Sequence, residues 1–216
     1  MLLRSPARFG PRFSGLIALS TLSIGIHPAY ADRIVLAPAG TTLPETSFLS
    51  EIAVNTSIRK ADYEWFAYSS GDGIEMEINR YESSTLRNKQ WSMNFEYPLP
   101  TIRDLPAISL GIRDLTGTGA EHGALFLAAT RGIKLSAINR RAFRSINVSA
   151  GAGTGTIGGA FVGVESRLTA GLNLTAEIYR HRPNFGVGLP LVRDLQLKAY
   201  SLNGTIYYGA SFHKSL

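Results

Sequence analysis

From residue 62 to its end the chain repeats one device: short runs in which an apolar residue and a small or polar one take turns. In an extended strand successive side chains point to opposite faces, so each run has one greasy and one polar side. The stretch from Leu105 to Gly119 sets the pattern. Ile108, Leu110 and Ile112 alternate with Ser109, Gly111 and Arg113; Pro106 stands at the start, where its missing N–H costs least, and the Gly117-Thr118-Gly119 run after Asp114 makes a turn. A chain built this way must close its sheet, or pack it, so that every apolar face leaves water.

The runs recur at short intervals. A weak strand is expected over Thr46–Ile58, where Phe48, Ile52 and Val54 alternate incompletely, then one at Asp62–Ser70 and a tight turn at Ser70-Gly71-Asp72-Gly73. Ile74, Met76 and Ile78 oppose Glu75, Glu77 and Asn79; after a polar loop from Ser83 to Lys89, Trp91, Met93, Phe95 and Tyr97 oppose Ser92, Asn94 and Glu96. Leu125–Thr130 is apolar on both faces. Residues 132–143 interrupt the pattern and read as a basic loop, with a short amphipathic helix as the alternative. Further strands follow at Ile146–Gly153, Gly159–Glu165, Leu172–Ile178, Phe185–Leu189 and Leu195–Lys198; Asn203-Gly204 is a strong hairpin signal, and Thr205–Phe212 is the final strand.

The first 31 residues read as a cleaved signal peptide. Arg4, Arg8 and Arg12 precede an apolar stretch from Gly15 to Ile26, and Ala29-Tyr30-Ala31 provides a cleavage site. That apolar stretch is shorter than the roughly 20 residues of a spanning helix, and no later run reaches that length. Residues 32–45, with Pro38, Gly40 and Pro44, form an irregular N-terminal lead, and 46–216 form the β-structure.

Together these features predict an all-β, antiparallel, up-and-down transmembrane β-barrel of about 10–12 strands in a bacterial outer membrane. Backbone groups in lipid must pair within the protein, and a sheet does this only when closed. A secreted soluble β-sandwich or barrel shares the period-two pattern and stays open as an alternative. Trp65, Tyr81, Trp91, Tyr97, Tyr179 and Tyr200 are expected near strand ends as interfacial girdles. Glu75, Glu77, Glu96, Arg113, Glu165, Glu177 and Lys198 lie mid-strand on polar faces and are expected to form a structural charge network in the lumen, because buried charges persist only when paired. Lipid and the outer-membrane assembly machinery are the expected partners, polysaccharide a further one; Phe212 resembles the terminal aromatic of outer-membrane barrels, with His213-Lys214-Ser215-Leu216 as an overhang.

Signals for chemistry are sparse. The formal charge of +6 includes three leader arginines, and the remaining basic residues are scattered, so a nucleic-acid partner is not expected. There is no cysteine, hence no disulfide or thiolate metal site. Gly153-Thr154-Gly155-Thr156-Ile157-Gly158 matches a dinucleotide-binding spacing, but a strand rather than a helix is expected after it, which leaves a turn. His122, His181 and His213 lack a second histidine at metal-ligand spacing. Ser211 and His213 share a strand face, as in lipid-modifying barrel hydrolases, but no third group or oxyanion site accompanies them. No catalytic, cofactor or metal residue is expected, and no enzyme activity.

The Leu-Pro-Ala start at Leu105, the apolar alternation, Gly111-Ile112-Arg113-Asp114, Gly117-Thr118-Gly119 and the second strand from Gly123 to Arg131 resemble the repeating unit of the YjbH-like family of outer-membrane proteins. The resemblance covers residues 90–135 and continues more weakly to the C-terminus. It implies an accessory or structural role in exopolysaccharide production or export, without catalysis. A small outer-membrane channel and a lipid-modifying barrel hydrolase are the alternative functions.

Overall fold

Strand pairing runs in sequence order right round the molecule and returns to its start. In the computed structural model, which describes residues 33, 35–55, 62–81, 90–100, 102, 105–118, 122–136 and 139–216, twelve strands make one closed antiparallel barrel. They are β1 (Ser47–Asn55), β2 (Asp62–Ser69), β3 (Glu75–Tyr81), β4 (Gln90–Pro98), β5 (Ala107–Arg113), β6 (Ala124–Gly132), β7 (Phe143–Gly153), β8 (Gly159–Leu168), β9 (Asn173–Tyr179), β10 (Arg182–Val192), β11 (Leu195–Leu202) and β12 (Thr205–Ser215). The leader at 1–31 and the loop at Ser83–Lys89 lie outside the described residues.

Closure is made by β1, which pairs with β2 on one side and with β12 on the other, from Ser47↔Ser215 to Asn55↔Tyr207. Among the described strands no edge is left for another chain to pair with. The weak alternation of β1 has a local cause: Ser50 occupies an outward position between Phe48 and Ile52. Outside the seam, Phe48 packs against Phe66 of β2 and Phe212 of β12, with centroids 6.2 and 5.8 Å apart. Strand β12 continues past Phe212, because Ser47, Phe48 and Leu49 pair with Ser215, Lys214 and His213; the anticipated overhang is strand.

The turns follow their residues. Asn203 and Gly204 have φ of 53° and 82°, the two left-handed conformations a two-residue hairpin requires. Arg180 and His181 make the same turn at φ 55° and 61° without a glycine, which is why the sequence carries no hairpin signal there. The Gly153–Gly158 stretch forms one 3-10 turn at Gly155–Ile157 and leads directly into β8. In the 132–143 interval the described residues form a 3-10 turn at Asn139–Arg141 and no longer helix.

The two faces of the wall are distinct. Met76, Ile78, Trp91, Leu110, Leu125, Leu127, Ile178, Phe185, Leu197 and Ile206 point out and are exposed, Leu125 and Phe185 by 57% each. Inward positions hold Glu51, Glu75, Glu77, Asn94, Glu96, Ser109, Arg113, Ser149, Glu177 and Asn184, all buried. A soluble barrel or sandwich would present the reverse, since a continuous exposed apolar belt of this kind is an interaction surface for membrane. At one end of the belt Arg80 pairs with Glu64 and lies 5.7 Å from the Trp91 ring centroid, a charged pair beside an interfacial aromatic. Trp91, Tyr97 and Tyr208 stand outside as girdle aromatics do.

Three of the aromatics expected in those girdles are elsewhere. Trp65, Tyr179 and Tyr200 occupy inward parity on β2, β9 and β11 and are buried within the barrel. Tyr179 ends its strand and Tyr200 stands two residues from the end of β11, but Trp65 is mid-strand in β2, and their faces are those of Tyr63, Glu177 and Lys198. The Tyr81 side chain lies outside those described.

Candidate functional site

Among the described residues the lumen is filled from two sources, inward side chains and the inner segment made of residues 33 and 35–45. Those residues run along the inside of the wall, where Val35, Ala37, Ala39 and Leu43 are buried. Backbone without a regular partner must find hydrogen bonds from side chains, and the inward faces provide them. Leu43 N donates to Glu75 Oε2 on β3 at 2.7 Å. Ser109 Oγ on β5 donates to Ala39 O at 2.8 Å, and Gly40 N donates to Thr130 Oγ1 on β6 at 2.7 Å. Only glycine fits at 40, because a Cβ there would lie 2.4 Å from Ala107 O and 2.5 Å from Thr130 N.

Glu177 on β9 anchors the next stretch. Its Oε2 accepts from Val35 N and Ala37 N, both at 2.9 Å, and its Oε1 from Leu36 N at 3.0 Å, so three successive amides converge on one carboxylate. Asn184 Nδ2 also donates to Oε1 at 2.7 Å, and Asn184 Oδ1 accepts from Asn203 N at 2.9 Å. The segment is thereby tied through β10 to the β11–β12 turn. Beyond it, Arg33 lies 3.4 Å from Glu51 of β1, with its guanidinium 3.8 Å from the Trp65 ring centroid and hydrogen-bonded to the Tyr63 hydroxyl.

The seven residues expected in one charge network are divided among separate groups. Glu77 Oε2 accepts from Arg113 Nη1 at 3.2 Å, Asn94 Nδ2 at 2.7 Å and Trp65 Nε1 at 3.1 Å. Glu75 and Glu96 face each other across β3 and β4, and Glu75 binds the inner segment. Glu177 serves that segment's backbone. Lys198 donates to Glu51 Oε2 at 2.5 Å, and Tyr200 donates to Oε1 at 2.9 Å. Glu165 lies on the inward face of β8, with Arg167 two positions on, and lines one cavity with Glu51 and Lys198. Sequence reasoning did not single out Glu51, Arg33, Asn94 or Asn184. Glu51 was hidden by the broken alternation of β1, and both asparagines occupy alternate positions opposite apolar residues, a signal that was present.

Two buried apolar clusters close the rest of the lumen. Tyr63, Trp65, Tyr200, Leu202 and Tyr207 pack around Val35 and Leu43, with Tyr200 and Tyr207 stacked 5.7 Å apart; Phe126, Ile157, Phe161 and Tyr179 pack around Ala37. On the β7–β12 side a cavity of ≈ 450 Å³ remains, reaching the mouth at Gly171, Arg193, Asp194 and Ser215. Ser211 is buried and faces the lumen, and His213 lines the cavity; His122 and His181 sit in turns at positive φ. Among the described residues no group of three or more His, Cys, Asp or Glu could hold a metal ion.

No protein-family model matches the sequence, and no curated protein does. Among solved structures, the Acinetobacter baumannii outer membrane protein Omp33 is similar at 9% identity and a TM-score of 0.43, over 79% of this chain and 97% of that one. Two variants of the Rhodopseudomonas blastica porin match at 11% and 10% identity, each with a TM-score of 0.35, over 71% of this chain. The chain spans 55% of the length of those porin structures. Strand pairing and the exterior decide the assignment here: a closed, even-stranded antiparallel barrel with an apolar belt and a polar interior is an outer-membrane β-barrel, and lipid is what its outer face meets.

Proposed function

We propose that this barrel is a structural or accessory component of the bacterial envelope, closed at rest by its own residues 33–45, rather than a standing pore. One observation carries the reading: the segment is hydrogen-bonded to β3, β5, β6 and β9 in turn, with a salt bridge to β1. A water-filled channel needs an open path, and here inward tyrosines, phenylalanines and the segment occupy it. The YjbH-like resemblance of residues 90–135 narrows the role to exopolysaccharide production or export, with polysaccharide as partner. Phe212 supports recognition by the outer-membrane assembly machinery, although the strand runs three residues beyond it.

A small channel is the second reading. What favours it is that the inner segment is held by hydrogen bonds and one salt bridge, so its release would widen the lumen. A lipid-modifying hydrolase is disfavoured because Ser211 faces the lumen, away from acyl chains.

Planar-bilayer recording on the purified chain tests closure: no sustained conductance is expected, and a permanent open level would overturn it. A deletion strain tests the envelope role. Altered surface polysaccharide with unchanged lipid A acylation is expected, whereas unchanged polysaccharide and permeability would leave the barrel without this role.

A further inference from the structure

The cavity on the β7–β12 side is unlike the rest of the lumen. Six cationic side chains line it: Arg33, Arg144, Arg167, Arg193, Lys198 and Lys214. Among the described residues three carboxylates do so, Glu51, Glu165 and Asp194. Glu51 is shared by Arg33 and Lys198, and Asp194 lies 4.0 and 3.5 Å from Arg193 and Lys214. The lining cations therefore exceed the lining anions by three, with Arg144, Arg193 and Lys214 exposed to solvent and Arg33, Arg167 and Lys198 deeper, which makes the approach to the cavity positive.

Arg144 is there because of a backbone irregularity. In regular β7 it would share the outward face of Ile146 and Val148. The register between β7 and β8 slips between Phe143 and Ser145, which pair with Leu168 and Arg167, so Arg144 is the extra residue of a β-bulge. Bulges re-aim side chains at barrel rims, and this one leaves the exposed Arg144 bordering the cavity that Arg167 also lines. A second slip, between Pro190 and Val192 on β10, places Leu191 and Val192 at the same mouth. Arg167 is itself oriented, its Nε donating to Asn173 Oδ1 at 3.1 Å.

We propose that this vestibule binds a small acidic saccharide, its acid group on Arg144 and Arg167 and its hydroxyls on the amides and hydroxyls nearby. Guanidinium groups suit carboxylates because they can donate two parallel hydrogen bonds. Asn173, Thr175, Gln196 and Ser211 line the same cavity and offer both donors and acceptors. Its ≈ 450 Å³ is of the size that takes a small ligand. This goes beyond the envelope role proposed above and stands without it, since a blind vestibule can bind a sugar acid in a barrel of any function.

Trp65 lines the cavity and Trp91 is the only other tryptophan, so a Trp91→Phe background reports from Trp65 alone. The full chain in zwitterionic detergent is titrated with glucuronic acid, with glucose and with inorganic phosphate, followed by fluorescence and by calorimetry. Glucuronic acid is expected to saturate and to bind at least about tenfold more tightly than glucose, the worth of one charge-assisted hydrogen bond. Arg144→Gln and Arg167→Gln should each weaken it about tenfold. Arg140→Gln with Arg141→Gln, which removes twice the charge of either from a turn outside the cavity, should leave it unchanged. Absence of saturable binding by both methods overturns the proposal, as does equal affinity for glucose. Phosphate binding as tightly as glucuronic acid would refute the saccharide, and an equal loss in the loop control would refute the site.

Discussion

Replacing Glu177 with Ala tests whether the inner segment is held in place by one carboxylate. The substitution removes the acceptor of three consecutive amides, at 2.9, 3.0 and 2.9 Å, and of Asn184 at 2.7 Å. Each such bond to a charged group contributes about 1.5–3 kcal/mol, but the four share one side chain and do not add. The partners are neutral, so the loss is that of their unmet buried hydrogen bonds, about 3–4 kcal/mol in total once the shared side chain is allowed for. Charged against release of the segment, that shifts its docked-to-released ratio by about two to three powers of ten. The bonds to Glu75, Ser109 and Thr130 remain, so release should be partial and reversible. The expected readouts are bursts of conductance in planar bilayers and faster proteolysis within 33–45. The heat-modifiability midpoint of the barrel should move little, because the backbone ladder is untouched and only one side-chain bond between strands, from Asn184, is lost. Glu177→Gln keeps one acceptor oxygen and should fall between the two. If Glu177→Ala is as silent electrically and as resistant to protease as the parent, the anchoring argument is refuted; if the barrel itself unfolds, Glu177 belongs to the wall's stability instead.

Three further outcomes are expected. Gly40→Val should also expel the segment, since its Cβ would overlap Ala107 O and Thr130 N, and the same conductance and proteolysis assays read it. Phe95→Arg should impair membrane insertion by about 2–4 kcal/mol, the cost of a cation on a barrel's lipid face, whereas Glu96→Gln should change folding into vesicles by at most about 1 kcal/mol in either direction, because it relieves a like-charge pairing with Glu75. Arg113→Met should destabilise by about 3–5 kcal/mol in a urea titration, and adding Glu77→Gln should recover much of that loss, since the damage lies in a buried carboxylate deprived of its cation.

What was legible in the sequence was local. Period-two alternation marks a strand wherever one face differs from the other, so β3, β4, β5 and β9 were readable from their own residues, and Asn203-Gly204 announced its turn. β1 was blurred because Ser50 stands on the lipid face, and the Arg180-His181 turn was silent because two non-glycine residues adopt left-handed φ under the constraint of the flanking strands. Residues that share a strand face could be named together, which is why the mid-strand glutamates emerged as a group.

Whether that face was inside, and what met it there, needed the closed barrel. Alternation is unchanged by turning a sheet inside out, and closure gives it an absolute sense: Trp65, Tyr179 and Tyr200 became interior residues through parity alone. The partners of the charges are equally non-local. Glu51 meets Lys198 147 residues away, and Glu177 meets the amides of residues 35–37 at separations of 140 to 142. No periodicity in a linear chain encodes such pairs. They arise because closing twelve strands leaves a lumen narrow enough for one segment, folded back where Arg33 bridges Pro38, and that segment's buried amides and carbonyls must be matched by whichever inward side chains the register brings beside them.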